Sequence, residues 1–84
     1  MRYELLLTKK ARKFIQAQPK NQQIRLLDAI NKLPSLGDIK PLTGKKDTFR
    51  LRVGDYRIIY ETHNERLLIT VVNIGNRGQI YKNF

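Results

Sequence analysis

Cysteine is absent from this chain of 84 residues, and histidine occurs once, at His63. Without cysteine the chain can form no disulfide framework, no thiolate metal site and no cysteine nucleophile. A single histidine also excludes a site that binds a metal through several imidazoles. The lack of cysteine fits the reducing environment of the cytoplasm.

Long apolar runs are missing as well. No run approaches the roughly 18–20 residues with which a helix crosses a bilayer. The apolar run near the start, residues 5–7, is too short for the core of a signal peptide. Hydrophobic residues nevertheless make up 40% of the chain, which is enough for a folded core. We expect one domain, residues 1–84, that does not cross a membrane.

Acidic residues are scarce, because 7 Asp and Glu stand against 17 Lys and Arg, which gives a formal net charge of +10. A domain this basic repels itself, and the usual reason for such a balance is an anionic partner. The candidates are nucleic acid, an anionic membrane surface and an acidic protein. Composition alone does not choose among the three.

The first half of the chain predicts a short strand followed by two helices. Residues 3–7 are rich in apolar side chains and end at Thr8, a typical N-cap, so a strand should lead into a helix that runs to about Ala17. A second helix should start near Asn21 and stop at Pro34, because proline cannot continue a helix. The apolar positions that should face the core recur at helical spacing: Ala11, Phe14, Ile15, Leu26, Ala29, Ile30 and Leu33.

The second half predicts antiparallel strands. Residues 34–47 contain prolines and glycines and should form a long loop. Beyond them apolar residues alternate with polar ones, and Gly54 and Asp55 should form a hairpin turn with glycine first, as a type II′ turn requires. Residues 63–64 should form a second turn, and residues 66–74 a strand that is apolar on both faces and central in the sheet. The predicted class is α+β, a small, mostly antiparallel sheet with an amino-terminal helical hairpin packed on one face.

The register of the predicted hairpin divides its side chains between two faces of the sheet. With Gly54 and Asp55 as the turn, strand alternation places Arg50, Arg52 and Arg57 on the face away from the core, with Arg52 opposite Arg57. Like charges in opposite positions are destabilising by up to ~1 kcal/mol. The face is either an ordinary solvated surface or an anion site, since guanidinium groups match phosphate oxygens. The opposite face is expected to pack on the helices and carries Phe49, Leu51, Val53, Tyr56, Ile58 and Tyr60.

The hairpin sequence also carries a family resemblance. Residues 49–60, FRLRVGDYRIIY, resemble the signature hairpin of the RelE/ParE toxin superfamily. Residues 40–44, KPLTG, are similar to the loop that precedes this hairpin in the family, and residues 74–81, IGNRGQIY, resemble its terminal motif. The predicted order of one strand, two helices and three strands agrees with that family over essentially the whole chain.

The resemblance implies a toxin of a type II toxin–antitoxin pair, with an acidic antitoxin as partner and with neither membrane nor cofactor. RelE-type members cleave mRNA in the ribosomal A site and so inhibit translation, whereas ParE-type members share the fold, poison DNA gyrase and are not nucleases. The leading interpretation is a ribosome-dependent, metal-independent endoribonuclease. The alternatives are a ParE-type gyrase inhibitor and a non-toxic domain that binds RNA or an antitoxin.

The resemblance also implies a set of site residues. The residues expected to act in catalysis are Arg52, Arg57, Arg77 and Tyr81, and those expected to bind RNA are Arg50, Lys45, Lys46 and Lys82. Arg57 and Arg77 would stabilise the charge on phosphorus, and Tyr81 would stack on a base or transfer a proton. Arginine cannot accept a proton at neutral pH, so the general base stays open.

An apolar strip beside the arginines gives a hypothesis for partner binding. If the second turn has two residues, Ile59, Leu68 and Val72 share a face with Arg52 and Arg57. Such a strip would suit an acidic, amphipathic antitoxin segment.

Overall fold

The computed structural model describes residues 3–33, 38–42, 44 and 46–76, and in these residues two α-helices accompany five strands. In chain order the elements are β1 (Glu4–Leu7), α1 (Lys9–Gln16), α2 (Lys20–Asn31), β2 (Asp38–Pro41), β3 (Thr48–Val53), β4 (Tyr56–His63), a 3₁₀ turn (Asn64–Arg66) and β5 (Leu68–Asn76). No helix in the described part of the chain is long and apolar enough to span a bilayer.

The strands form one sheet in the order β1-β5-β4-β3-β2. Strand β1 runs parallel to β5, and the three other neighbouring pairs are antiparallel. The buried residues of both helices join those of the sheet in a single apolar cluster, which includes Ala11, Ile15, Leu26 and Ile30. The predicted α+β fold, a mostly antiparallel sheet with a helical hairpin on one face, is confirmed.

The predicted cap of the first helix is confirmed at Thr8. Its side-chain oxygen accepts a hydrogen bond from the backbone N–H of Ala11 at 3.2 Å, and its hydroxyl donates to the carbonyl of Val72 at 3.0 Å. A helix of 8 residues is too short to be stable alone in water. Helix α1 therefore depends on its cap and on the packing of Ala11 and Ile15, which are both buried.

The predicted β3–β4 hairpin is confirmed in its turn and its register. Val53 pairs with Tyr56, Arg52 with Arg57, and each earlier residue with the expected partner. Gly54 has a φ of +57°, and Asp55 is not among the residues with positive φ, which agrees with a type II′ turn. The guanidinium of Arg25, from α2, lies against this turn, because a Cβ on Gly54 would be 2.7 Å from its Nη2.

The prediction of a continuous loop over residues 34–47 is wrong, because β2 lies within it. Strand β2 pairs with β3 at the edge of the sheet, with Ile39 opposite Leu51 and Pro41 opposite Phe49. Its pattern was weak, since Ile39 is its one strongly apolar residue and proline normally argues against a strand. Proline is accepted here because an edge strand has one side without a partner strand.

The second turn is longer than predicted. His63 pairs with Leu68, so four residues, 64–67, connect β4 to β5, and Leu67 has a φ of +50°. The register between these strands shifts once, because Ile59 pairs with Asn73 while Tyr60 pairs with Val71. The extra residue on β5 is a β-bulge. Strand β5 lies between β1 and β4, as its apolar sequence predicted.

The tyrosines of β4 belong to the core, as their face predicted. Tyr60 is 1% exposed and its ring stacks on Phe49, with centroids 5.5 Å apart. Tyr56 contacts Phe14 edge to face at 5.9 Å and donates its hydroxyl proton to Oε1 of Gln18 at 3.0 Å. Burial raises the pKa of Tyr60 to about 12, because the phenolate would lose its hydration.

Replacing Gly54 by alanine should destabilise the fold more than the same change at Gly44. Both glycines have a positive φ, +57° and +79°, so each alanine is strained by about 1 kcal/mol. The new Cβ at Gly54 would also meet Arg25, whereas at Gly44 it would meet no atom within 4 Å. Because the Arg25 guanidinium is the end of a flexible side chain and can move, we expect a further loss of no more than about 0.5 kcal/mol at Gly54, measured by urea unfolding. In an Arg25→Ala background this further loss should vanish, and its persistence there would contradict the contact.

The pKa of Tyr60 predicts a loss of stability at high pH. The folded-state pKa of about 12 lies above the ordinary value near 10, so the neutral phenol is favoured by folding. The contribution is complete below about pH 10 and is lost as the pH rises from about 10 to 12, to a total of about 2–3 kcal/mol. Urea unfolding should be measured across this pH range for the wild-type protein and for Tyr60→Phe, and each free energy of unfolding should be compared with its own value at about pH 8. The free energy of unfolding should fall more steeply with pH for the wild-type protein than for Tyr60→Phe. Parallel curves would contradict the assignment.

Candidate functional site

Basic residues of three strands lie together on the sheet face that points away from the helices. Lys40 of β2 pairs with Arg50 of β3, and Arg52 of β3 pairs with Arg57 of β4. Directly paired residues extend to the same side of a sheet, and Leu51 and Val53, which alternate with the arginines, belong to the core cluster. We call Lys40, Arg50, Arg52 and Arg57 the basic face.

Strand β2 adds Lys40 to this face as a fourth cation that the sequence did not predict. In the backbone register of β2, Asp38 pairs with Arg52. Glu61 of β4 pairs with Thr48 and Thr70 at the opposite end of the strands. A signal for Lys40 exists in the alternation of residues 38–40, where one apolar residue stands between two charged ones.

The arginines of the basic face differ in exposure. Arg52 is exposed and Arg50 is half-buried, whereas Arg57 is only 6% exposed. The Nη1 group of Arg57 donates to the carbonyl oxygens of Gly54 and Tyr56, both at 2.9 Å. Arg57 therefore binds the hairpin turn to its own strand. Its Nε and Nη2 groups carry three further N–H donors, and these are the ones that suit a phosphate.

Two further residues on the same sheet face as Arg57, Ile59 and Asn73, are buried. Ile59 is fully buried, although it lies on the same face of the sheet as Arg57, and it is not part of the core cluster under the helices. Asn73, its register partner, is 6% exposed, and its Oδ1 accepts from the N–H of Ile74 at 3.0 Å. Ile59 therefore shares the face of Arg57, as the hypothesis of an apolar strip required, but its burial removes it from the surface that a partner could contact. The two-residue turn that the hypothesis assumed is not formed.

Of the remaining predicted site residues, the structure describes one, Lys46. Lys46 is exposed just before β3, and its carbonyl accepts from the hydroxyl of Thr48 at 3.1 Å. Four of the predicted site residues lie outside the described residues: Lys45, Arg77, Tyr81 and Lys82.

A second group of cations lies on helix α1. Lys9, Arg12 and Lys13 share one side of the helix with Gln16, at spacings of three and four residues, and line a groove of about 220 Å³. All four side chains are exposed. Such a group is either a solvated helix surface or a contact for the backbone of a nucleic acid.

The arrangement can bind and stabilise negative charge. Guanidinium groups fixed before a ligand arrives are suited to phosphate oxygens and to the charge that develops on phosphorus. They cannot accept a proton at neutral pH, so the arginines of the basic face supply no general base. Among the described residues, no group of three or more His, Asp or Glu side chains is placed to hold a metal ion.

Comparison with known proteins gives matches over nearly the whole chain. The model of a family described as the ParE toxin of the type II toxin–antitoxin system parDE matches residues 5–81. The archaeal RelE–RelB complex from Pyrococcus horikoshii OT3 contains a chain that is 30% identical, with a TM-score of 0.78 over 94% of this chain and 99% of that chain. No curated protein matches in sequence.

Two further crystal structures are similar. The RelB–RelE antitoxin–toxin complex from Methanococcus jannaschii contains a chain that is 28% identical, with a TM-score of 0.76 over 94% of this chain and 98% of that chain. The isolated RelE toxin of E. coli is 20% identical, with a TM-score of 0.72 over 96% of this chain and 93% of that chain. At this lower identity the likeness concerns the fold alone.

Removing the side chain of Arg57 should cost stability in the absence of any ligand. Arg57→Ala leaves the carbonyls of Gly54 and Tyr56 without their side-chain donor, and we expect a loss of about 2 kcal/mol in the free energy of unfolding. The matched change, Arg52→Ala, removes an exposed arginine from the same register pair and should cost less than about 0.5 kcal/mol. Equal and small losses in thermal unfolding would contradict the structural role of Arg57.

Proposed function

The chain belongs to the ParE toxin family of type II toxin–antitoxin systems, within the RelE/ParE superfamily, and from this premise we propose that it is a RelE-type toxin. The proposed activity is that of a ribosome-dependent endoribonuclease that cleaves mRNA in the A site and thereby inhibits translation. The whole chain, residues 1–84, would act as one domain in the cytoplasm, where ribosomes and mRNA are found.

The basic face is the observation that carries the proposal. Two adjacent register pairs, Lys40 with Arg50 and Arg52 with Arg57, bring four cations together on strands of a sheet. A ParE-type inhibitor binds a protein, and nothing in that activity requires a row of guanidinium groups. A nuclease that works without a metal has use for such a row, because guanidinium groups can hold phosphate oxygens and stabilise the charge that develops on phosphorus. The similarity to RelE chains of 28–30% identity points the same way.

The proposed reaction is attack of the ribose 2′-hydroxyl on the adjacent phosphorus. The new bond joins O2′ to phosphorus, the bond from phosphorus to O5′ breaks, and the products are a 2′,3′-cyclic phosphate and a free 5′-hydroxyl. Arg52 and Arg57 would stabilise the charge on the non-bridging oxygens, with Arg77 as a third donor. Tyr81 would stack on a base or move a proton between O2′ and O5′. Arg50, Lys45, Lys46 and Lys82 would hold the RNA backbone.

The proposed partner is an acidic antitoxin. The similar chains from P. horikoshii and M. jannaschii were crystallised with RelB. The formal net charge of +10 favours an acidic protein on electrostatic grounds alone.

The second candidate is a ParE-type gyrase inhibitor, and the description of the matching family favours it. The two candidates differ in what fails first in a cell. A RelE-type toxin stops amino-acid incorporation, whereas a ParE-type toxin causes DNA damage and filamentous growth.

Primer extension on an mRNA in translating ribosomes tests the proposal. With the purified protein we expect cuts in phase with the codons. Arg52→Ala should lower the cleavage rate about 100-fold, as the loss of one charge-stabilising donor does, with a loss of stability below about 0.5 kcal/mol. Arg66→Ala is the matched control, because Arg66 is exposed in the 3₁₀ turn, away from the basic face. Arg57→Ala and Arg77→Ala should relieve the growth arrest caused by expression, with the stability of Arg57→Ala measured in parallel.

Three outcomes would overturn the proposal. Inhibition of gyrase supercoiling without any mRNA cuts would select the ParE-type candidate. Salt-dependent RNA binding without cleavage on ribosomes would select the non-toxic RNA-binding domain. Codon-phased cuts that Arg52→Ala, Arg57→Ala and Arg77→Ala all leave unchanged would refute the site assignment.

A further inference from the structure

Helix α1 carries a high density of positive charge. Half of its 8 residues are cations and none is acidic; the cations are Lys9, Lys10, Arg12 and Lys13. Cations three or four positions apart are neighbours on a helix surface and repel each other. Lys9 and Lys10 also occupy the first turn, where the positive end of the helix dipole disfavours a cation. The helix therefore carries an electrostatic cost that its own sequence does not offset.

The rest of the described chain does not offset this cost either. The four cations are exposed, and no carboxylate of the described residues lies within ion-pair distance of them. Lys32 of α2, by contrast, pairs with Asp28 at 3.1 Å. An anion from outside the chain would relieve the repulsion, so the electrostatics of the free protein favour the binding of a polyanion at α1.

Three of the cations line a groove together with an amide. The groove has a volume of about 220 Å³, and we call its lining residues the α1 patch: Lys9, Arg12, Lys13 and Gln16. The patch spans seven residues, or roughly 10 Å along the helix axis. No apolar side chain lines the groove, whereas protein-binding surfaces are centred on apolar and aromatic residues and are depleted in lysine. The α1 patch therefore suits a phosphate backbone better than it suits a protein.

The α1 patch is held in place on the opposite side of the sheet from the basic face. Helix α1 packs on the sheet through Ala11 and Ile15, which are both buried. Thr8 joins the start of the helix to β5, because its N–H donates to the carbonyl of Val71 at 3.1 Å and its hydroxyl donates to that of Val72 at 3.0 Å. The basic face points away from the helices, so a single phosphate cannot contact both surfaces.

The α1 patch lacks the side chains that a single-stranded nucleic acid requires. Proteins bind single strands largely by stacking the bases on exposed aromatic side chains. The aromatic residue of α1, Phe14, instead packs against the core and contacts Tyr56 edge to face at 5.9 Å. An RNA double helix is recognised through the phosphates and 2′-hydroxyls along its wide, shallow minor groove. Lysine, arginine and glutamine side chains all carry donors for these groups.

We propose that the α1 patch binds the backbone of double-helical RNA. Lys9, Arg12 and Lys13 would contact phosphates, and Gln16 would contact a ribose 2′-hydroxyl, since an amide can both donate and accept a hydrogen bond. The inference goes beyond the proposed function, because it assigns a second RNA surface that takes no part in cleavage. It rests on the proposed function only for the biological role of the contact.

Fluorescence anisotropy with a labelled RNA duplex of about 16 base pairs tests the inference on the full chain. We expect Lys9→Ala, Arg12→Ala and Lys13→Ala each to weaken binding about fivefold at physiological ionic strength, as the loss of one phosphate contact does. Each change should also reduce the slope of the logarithm of affinity against the logarithm of salt concentration by about 1.

Lys10→Ala is the matched control for Lys9→Ala. Lys10 is an exposed lysine in the same turn that does not line the groove, so its loss should leave the affinity within about twofold and the salt slope unchanged. All four changes remove a repelling charge from α1, and thermal unfolding should therefore show no loss of stability. A change in affinity is then not a change in folding.

Three further probes identify the class of ligand. A DNA duplex of the same sequence should bind about threefold or more weakly than the RNA duplex, and Gln16→Ala should abolish this difference, because DNA lacks the 2′-hydroxyl. Polyglutamate should bind at least about tenfold more weakly, since it releases fewer condensed counterions than a duplex. Single-stranded RNA of similar charge should lose no more than about twofold in affinity with Lys9→Ala.

The inference is overturned if Lys9→Ala and Lys10→Ala weaken duplex binding equally, because binding would then follow net charge alone. It is also overturned if the DNA duplex or polyglutamate binds as tightly as the RNA duplex, or if single-stranded RNA depends on Lys9 to the same extent. The assay contains no ribosome, so its result is independent of the proposed activity. Duplex binding that depends on Lys9 would stand without mRNA cleavage, and codon-phased cleavage without such binding would refute the α1 patch alone.

Discussion

The register of the β3–β4 hairpin is the constraint on which the rest of the structure depends. A slip by one residue would exchange the two faces of both strands, which would bury Arg52 and expose Leu51. The turn at Gly54 and Asp55 prevents that slip, because its two residues fix which residues pair. The turn is held from two sides, since Arg25 of α2 lies against Gly54 and Arg57 donates to the Gly54 carbonyl.

Arg57 links this structural role to the chemistry of the basic face. Its charge is nearly excluded from water, which is costly unless hydrogen bonds replace the lost hydration. Two carbonyls of the turn provide such bonds and fix the orientation of the guanidinium before any ligand arrives. A phosphate that contacts its remaining donors would meet a group that needs no reorganisation. For the same reason, a loss of the proposed activity in Arg57→Ala would have two possible origins, which a stability measurement separates.

The basic face differs in character from the groove of about 410 Å³ that separates α2 from the end of β3. The basic face carries its cations on a side of the sheet where the neighbouring residues Ile59 and Asn73 are buried. The groove is lined by cations, one carboxylate and apolar side chains: Arg25, Lys32, Arg52, Asp28, Ala29, Leu51 and Val53. Arg52 takes part in both.

Local sequence determined the elements and the hairpin. Alternation and the Gly54–Asp55 turn predicted the register of β3 and β4, and Thr8 predicted the start of α1, because each depends on residues close together in the chain. Tertiary structure decided what depends on distant neighbours. It made residues 38–41 an edge strand through pairing with β3, which added Lys40 to the basic face. It buried Ile59 and Arg57 on a face where alternation alone predicted exposure. Burial depends on the packing of the whole fold, and no local pattern of residues determines it.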